Sequence, residues 1–282
     1  MLKRFFLILV ALFLLSAAGP ALAALNLQVA HLNTPGTDRT LILPPAADNS
    51  PVISLGTAVD PQSGKLVSGY AIVHPKKSPA KPSWAGGAGG TKCYGFFAKG
   101  AKWKSVEPWI VNPSNTSGLS TSFVLSNLGF DIDKWEDATD GVVGNIAGVN
   151  ILGDGSSTSS IIVADTVTPD GNNEVYFADI SSSSTIAVTI IWGIFGGPIS
   201  GRELVEWDQV YDDVDFNWSG SGQAGKMDFE NIATHELGHS VGLSDLYNSD
   251  CSEQTMYGYA GTGEIKKQTL ESGDITGIST LY

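Results

Sequence analysis

The stretch that decides the fold is H-E-L-G-H-S-V-G-L-S-D, residues 235–245. Its two histidines, His235 and His239, are four residues apart, so on a helix their imidazoles project from one face, one turn apart. Gly242 tolerates the positive φ with which a helix commonly ends. The pattern therefore predicts a helix from residue 229 to about residue 241, followed by a sharp reversal of the chain.

The side chains of this stretch suit a metal ion. Two imidazoles one helical turn apart can bind a single cation, and the reversal brings Asp245 back towards it. The chain has four histidines, and the other two lie far from this segment. A carboxylate oxygen is an accepted zinc ligand, and Glu236, next to the first histidine, is placed beside the cation rather than on it. The sequence predicts zinc at His235, His239 and Asp245, with Glu236 as the general base acting on a water there.

This segment resembles the metzincin peptidases, whose pattern runs from a two-histidine helix through a glycine to a third ligand and on to a methionine turn. Here the turn is Thr255-Met256-Tyr257-Gly258. The methionine followed directly by tyrosine is most similar to the matrixin branch, as is the closing stretch 270–282. The likeness covers roughly residues 100–282. Asp245 departs from the pattern, since most metzincins carry a third histidine there.

The resemblance implies a zinc metalloendopeptidase, of the EC 3.4.24 type, that hydrolyses peptide bonds in proteins. It implies that Met256 supports the site without binding zinc, with Gly242 and Tyr257 as further supporting residues. An extended peptide is expected to lie antiparallel to an edge strand, for which residues 185–192 and 204–211 are the candidates. The expected fold is α+β, a sandwich-like metzincin domain with a twisted mixed sheet, an active-site helix and a C-terminal helix.

Apolar spacing and turn residues predict the other elements. Ser120 is a candidate N-cap for a helix that reaches about Ala138. The predicted strands are 52–59 and 66–73, which flank a turn at 60–64, and 109–111, 174–178, 185–192 and 204–211.

The N-terminus predicts export. Residues 1–23 hold a basic start, an apolar run from Phe5 to Leu15 and small residues at the end, as a signal peptide does. The run is shorter than the roughly 20 residues of a membrane span, so we expect a secreted, extracellular protein without a stable anchor. Residues 24–92 are predicted to be a β-rich pro-segment or an accessory region, with a Pro/Gly-rich linker at 75–91. The metallopeptidase domain follows at 93–282.

Composition limits the partners. The chain has 29 acidic and 16 basic residues, which argues against nucleic acid because there is no basic stripe to neutralise phosphates. We expect a monomer that acts on protein or peptide substrates. Calcium is a possible second cation, since two groups of hard oxygen ligands stand in predicted loops: Asp170, Asn172 and Glu174, and Asp208, Asp212, Asp213 and Asp215.

The two cysteines, Cys93 and Cys251, are predicted to form a disulfide in an exported chain. A thiol switch that blocks zinc is the alternative, but the sequence around Cys93 lacks the motif of the matrixin cysteine switch. Two rival functions stay open. One is a non-catalytic exported binding or adhesion module that keeps a zinc helix for structure, and the other is a metallohydrolase acting on another amide or ester.

Overall fold

A computed structural model of the chain describes residues 39–46, 50–76 and 92–282. The predicted signal peptide, and residues 77–91 of the predicted linker, lie outside the described residues. The α-helices among these residues are α1 Thr121–Asp137, α2 Phe229–Ser240 and α3 Ser272–Leu281. The ten strands of the described part are β1 Thr40–Leu41, β2 Val52–Val59, β3 Leu66–Pro75, β4 Trp109–Asn112, β5 Gly155–Ser157, β6 Asn173–Ile180, β7 Thr185–Ile194, β8 Glu203–Asp212, β9 Trp218–Ser219 and β10 Met227–Asp228.

Eight of these strands form one mixed sheet in the order β2-β3-β7-β8-β6-β4-β5, with β1 also paired to β6. β4, β5, β6 and β8 run parallel to one another, whereas β2, β3 and β7 add antiparallel pairs. β9 and β10 form a separate parallel pair. The α+β fold with a mixed sheet is therefore confirmed.

The central strands are apolar almost throughout because both faces of the sheet are covered. In β7, Ala187 and Ile191 contribute to the larger core, which includes residues of α1 and α2. Val188 and Ile190 contribute to a second core on the opposite face. This alternation follows from the two-residue period of a strand. Helices α1 and α2 pack on the face of the sheet that carries Ala187 and Ile191.

Helix α1 packs against α2 on this face of the sheet. Ser120 caps α1 as predicted, and its Oγ accepts a hydrogen bond of 3.2 Å from the Phe123 amide. The buried face of α1 contains Trp135, whose indole nitrogen donates 2.8 Å to the carbonyl of Thr234 in α2. The helix that carries the two histidines is thereby fixed from behind.

The predicted N-terminal hairpin is present, and it belongs to the same sheet. β2 and β3 pair antiparallel across a turn in which Gly64 has φ of +69°. β3 then pairs antiparallel with β7 over most of its length. The described part of the region 24–92 thus contributes three strands, β1, β2 and β3, to the sheet, while its removal and the domain boundary at the linker stay predictions.

This pairing overturns one expectation about edges. β7 and β8, which contain the two candidate edge strands, are both interior: β7 lies between β3 and β8, and β8 lies between β7 and β6. The physical reason is that β3 takes up the backbone hydrogen-bonding groups on the outer side of β7. In the described part of the chain, the edge on this side is β2.

Cys93 and Cys251 form a disulfide that joins positions 158 residues apart. The bond ties the segment before β4 to the short 3₁₀ helix Ser249–Cys251, which lies between α2 and the methionine turn.

We predict that replacing both cysteines by serine lowers the free energy of unfolding by about 2–4 kcal/mol, because a long loop is no longer closed in the unfolded chain. Urea denaturation checks this value. Reducing agent should destabilise the wild type to the same extent and leave the double variant unchanged. Equal stability of the oxidised wild type and the double variant would contradict the expectation.

Candidate metal centre

Helix α2 begins at a capped N-terminus and lies in the core. The carboxylate of Asp228 accepts a hydrogen bond of 3.0 Å from the Asn231 amide, which satisfies one of the free donors of the first turn. His235 and His239 are both buried, and their ring centroids are 4.9 Å apart. The 3.6-residue period of the helix accounts for this arrangement.

The chain reverses immediately after α2. Gly242 has φ of +103°, a conformation that disfavours any residue with a Cβ. A Cβ at Gly242 would also lie 3.0 Å from the carbonyl oxygen of Ala101. The Leu243 amide donates 2.9 Å to the carbonyl of Gly238, which closes the helix end and sends the chain back towards the histidines.

The reversal brings Asp245 to both imidazoles. Its Oδ1 lies 3.2 Å from His235 Nε2 and 3.4 Å from His239 Nε2. All three atoms are buried, and none makes a hydrogen bond of acceptable geometry with another described residue. A zinc ion with bonds of about 2.0–2.1 Å in a tetrahedron separates its ligand atoms by about 3.3 Å. Burying three such atoms unsatisfied is costly, and a cation between them removes the cost, so these residues fit a metal ion.

The outer nitrogens of the two rings are held by carbonyl groups. His235 Nδ1 is 2.6 Å from the carbonyl oxygen of Thr255, and His239 Nδ1 is 3.0 Å from that of Leu243. Because a carbonyl only accepts, these contacts require the hydrogen on each Nδ1 and leave the lone pair of each Nε2 for a ligand bond. At His235 the ammonium of Lys267 also lies 3.2 Å from Nδ1, but the carbonyl of Thr255 is the closer partner. The tautomers suited to metal binding are therefore set by the backbone.

Asp245 also determines the electrostatics of the site. Burial raises the pKa of its carboxyl, but the neighbouring His239 and His235 outweigh burial and hold that pKa well below its ordinary value. Burial and the charge of Lys267 lower the pKa of His235 to about 3. For His239 burial acts downward too, but Asp245 outweighs it and raises the pKa. A proton and a metal ion therefore compete for the lone pairs of these three side chains.

Glu236 is fully buried, and one of its carboxylate oxygens lies within 4.8 Å of ring nitrogens of His235 and His74. Burial raises its pKa to about 7. Its Oε2 accepts a hydrogen bond of 2.5 Å from the hydroxyl of Thr189 in β7, and its Oε1 is 3.1 Å from Nδ1 of His74 in β3. Neither Thr189 nor His74 was predicted as a site residue, since nothing in an alternating strand pattern shows which face meets the helix.

Comparison with known proteins shows which family this region resembles. The matrixin family model matches residues 200–282, which include β8, α2 and the segment up to the end of α3. Residues 200–282 are therefore similar to the matrixin metallopeptidases. A relative is metalloendoproteinase 2-MMP of Arabidopsis thaliana, which is 36% identical over 77 residues. That stretch is 25% of this chain and 19% of the relative, so the chain spans about a fifth of the curated relative that it matches.

The methionine turn of the matrixin-like domain lies directly under α2. The carboxylate of Asp274 in α3 accepts hydrogen bonds from the amides of Thr255 (2.7 Å) and Met256 (3.2 Å). Met256 is buried, and a Cβ at Gly238 would collide with its sulfur. The turn therefore contacts the helix at Gly238, which lies between the two histidines.

The tyrosine that contacts a candidate ligand is Tyr247, not Tyr257. The hydroxyl of Tyr247 donates 2.7 Å to Oδ2 of Asp245, which orients Oδ1 towards the histidines. Tyr257 is half-buried, and its carbonyl accepts a hydrogen bond from the ammonium of Lys267. Lys267 is itself fully buried, and burial lowers its pKa to about 8. The sequence analysis missed both Tyr247 and Lys267; the position of Tyr247 two residues after Asp245 was the available signal.

The acidic residues of the two predicted calcium groups are regrouped by the fold. Oxygen atoms of Asp165, Asp170 and Glu206 lie within 4.8 Å of one another, and so do those of Asp179, Asp212 and Asp215. Asp170 therefore meets residues outside its own predicted group. Glu174, Asp208 and Asp212 lie in strands and not in the predicted loops, and the sequence could not show which segments are neighbours.

We predict that Tyr247→Phe weakens zinc binding by about 10-fold or more, because the ligand carboxylate loses the hydrogen bond that orients it. Competition with a chromophoric chelator measures the affinity. Tyr259→Phe is the matched control, since that ring packs 5.3 Å from Tyr247 and should leave the affinity unchanged. Equal zinc affinities for Tyr247→Phe and the wild type would contradict this role.

Proposed function

We propose that the chain is a secreted, monomeric zinc metalloendopeptidase in which His235, His239 and Asp245 hold one zinc ion and Glu236 is the general base. The proposal rests on the convergence of three buried ligand atoms. Oδ1 of Asp245 lies 3.2 Å from Nε2 of His235 and 3.4 Å from Nε2 of His239, and none of the three atoms has a hydrogen-bond partner among the described residues. A structural zinc site has four protein ligands, whereas three leave one position open. The matrixin family model over residues 200–282 supports the same assignment.

The chemistry divides between the ion and the carboxylate. Zinc, when bound, supplies Lewis acidity that lowers the pKa of a water molecule and polarises a carbonyl group. Glu236 takes the proton of the attacking water on a carboxylate oxygen and later gives it to the leaving amine. Burial favours both steps because it keeps the carboxylate basic enough to accept a proton near neutral pH. Thr189 fixes the orientation of that carboxylate through its hydrogen bond to Oε2.

The substrate proposal is an extended protein segment that adds to the sheet antiparallel to β7. β7 carries Thr189, and therefore passes directly beside Glu236. A peptide on its outer side would present a backbone carbonyl to the site. This proposal requires the outer side of β7 to become accessible.

Export is supported by the sequence of residues 1–23 and by the disulfide, which persists in oxidising compartments. Among the helices of the described residues, none is both long and apolar enough to cross a membrane.

We predict that, in the chain from which residues 24–92 have been removed, Glu236→Gln lowers the rate of casein cleavage by about 10²–10⁴-fold, the usual contribution of general acid–base catalysis, while one zinc ion per chain stays bound. His235→Ala should lose both zinc and activity, and a chelator should inactivate the wild type. Cleavage is followed by peptide release and zinc by atomic absorption. A zinc-loaded wild type with no chelator-sensitive cleavage, tested after removal of residues 24–92 as well as before, would favour the binding module.

We further propose a calcium site at Asp165, Asp170 and Glu206. Glu206 is fully buried, and its Oε1 has no hydrogen-bond partner among the described residues. Its other oxygen accepts the amide of Gly171, so the carboxylate faces the loop that carries the two aspartates. Three close carboxylates repel one another unless a proton or a cation lies between them, and calcium prefers such oxygen ligands.

We predict that calcium at about 100 times its dissociation constant stabilises the chain by about 2–3 kcal/mol. Burial raises the pKa of Glu206 to about 9, so without calcium stability should fall as the pH rises from about 4.5 towards 9, and calcium should abolish this slope. Thermal unfolding measures both effects. Glu206→Gln should lose the response to calcium, whereas the control Asp215→Asn should keep it. A melting temperature that is insensitive to calcium would refute the site.

A further inference from the structure

The outer side of β7 is already occupied by a strand of the same chain. β3 pairs antiparallel with β7 from Ser68 opposite Gly193 to Pro75 opposite Thr185. Within this pairing Ile72 lies opposite Thr189, the residue that hydrogen-bonds Glu236. β3 therefore has the direction and the position that the proposed function gives to the substrate.

β3 also places a side chain in the reactive part of the site. His74 lies two residues after Ile72 and points to the same face of the sheet. Its ring centroid is 4.2 Å from that of His235, and its Nδ1 is 3.1 Å from Oε1 of Glu236. Only 1% of His74 is exposed, and its Nε2 has no hydrogen-bond partner among the described residues.

This contact engages the group that the proposed mechanism needs. With Thr189 on Oε2 and His74 on Oε1, both oxygens of Glu236 have partners. The imidazole of His74 is packed edge-on against His235, so it fills space on the side of the ligand set where Glu236 lies. A water molecule and a scissile peptide would need that space.

We propose that β3 is an internal inhibitor that occupies the peptide cleft along β7, with His74 filling the position between Glu236 and the metal centre. The inference rests on the proposed function and names the regulation of that site. A tethered strand competes at a high effective concentration, which exceeds that of most free substrates. The intact chain is therefore latent, and release of β3 activates it.

The order of residues along the chain allows release. Residues 75–91, which have the composition of a linker, begin where β3 ends, and Cys93 lies after this linker. A cut in the linker would separate β2 and β3 from the rest of the chain, while the disulfide from Cys93 to Cys251 would stay with the metallopeptidase region. No covalent bond would then hold β3 in the cleft.

The first test measures access to the metal without peptide hydrolysis. Acetohydroxamic acid, a small chelating ligand, is titrated into the cobalt-loaded full chain and followed by the visible absorption of cobalt. His74→Ala should bind it about 10-fold more tightly than the wild type. The control Val73→Ala removes a half-buried side chain of the same strand from the opposite face and should match the wild type. Equal affinities for the wild type and a folded His74→Ala would overturn the proposal.

The second test keeps His74 and therefore does not depend on how His74→Ala folds. A recognition sequence for a specific protease is placed within residues 77–91 of the full chain, which is then cut. After removal of the N-terminal fragment by gel filtration, acetohydroxamic acid affinity should rise by about 10-fold or more and casein cleavage should appear. If the fragment stays bound, both should remain at the values of the intact chain. A rise while the fragment is bound, or no change in probe affinity after it is removed, would overturn the proposal.

The two tests separate this inference from the proposed function. Tight probe binding without casein cleavage, after the fragment has been removed, would contradict the peptidase and leave β3 as the strand that covers the metal centre. Casein cleavage by the intact chain at the rate of the separated chain would support the peptidase and contradict the inhibitor.

Discussion

The rest of the structure depends on one constraint: Oδ1 of Asp245 must meet the Nε2 atoms of His235 and His239 in a place without water. The two separations, 3.2 and 3.4 Å, match the spacing of ligands around a small tetrahedral cation. Such a set is unstable without a positive charge, because each buried atom gives up its contacts with solvent. The surrounding elements hold the three atoms in position: α1 fixes α2 from behind, Gly242 reverses the chain, and the carbonyls of Thr255 and Leu243 set the tautomers.

The same burial connects catalysis with regulation. Glu236 can be a base near neutral pH only where water is scarce, and a buried carboxylate needs partners for both oxygens. Thr189 supplies one partner from β7, and His74 supplies the other from β3. In a working enzyme the second partner would be the attacking water. Under the proposed inhibition by β3, the hairpin occupies the hydrogen-bonding position on Glu236 that the attacking water would take in the active enzyme.

Much of the architecture could be predicted from local sequence, because its signals are local. Ser120 and Asp228 are N-caps, Gly242 has positive φ, and the strands predicted at 52–59 and 185–192 from apolar runs between turn residues correspond to β2 and β7. The neighbours of β7 could not be predicted, since β3 lies more than a hundred residues earlier in the chain and pairing depends on long-range contacts. For this reason His74 was left out of the site. The acidic residues illustrate the same limit: Asp165 and Asp170 meet Glu206 only because the loop between β5 and β6 lies against β8.

The most direct test of the central claim is a zinc-loaded crystal structure with anomalous scattering recorded at the zinc edge. The account predicts one strong peak, bonded to Nε2 of His235, Nε2 of His239 and Oδ1 of Asp245 at about 2.0–2.2 Å. A zinc ion bound elsewhere in the chain, or a zinc ion on the two histidines with the Asp245 carboxylate turned away, would contradict it.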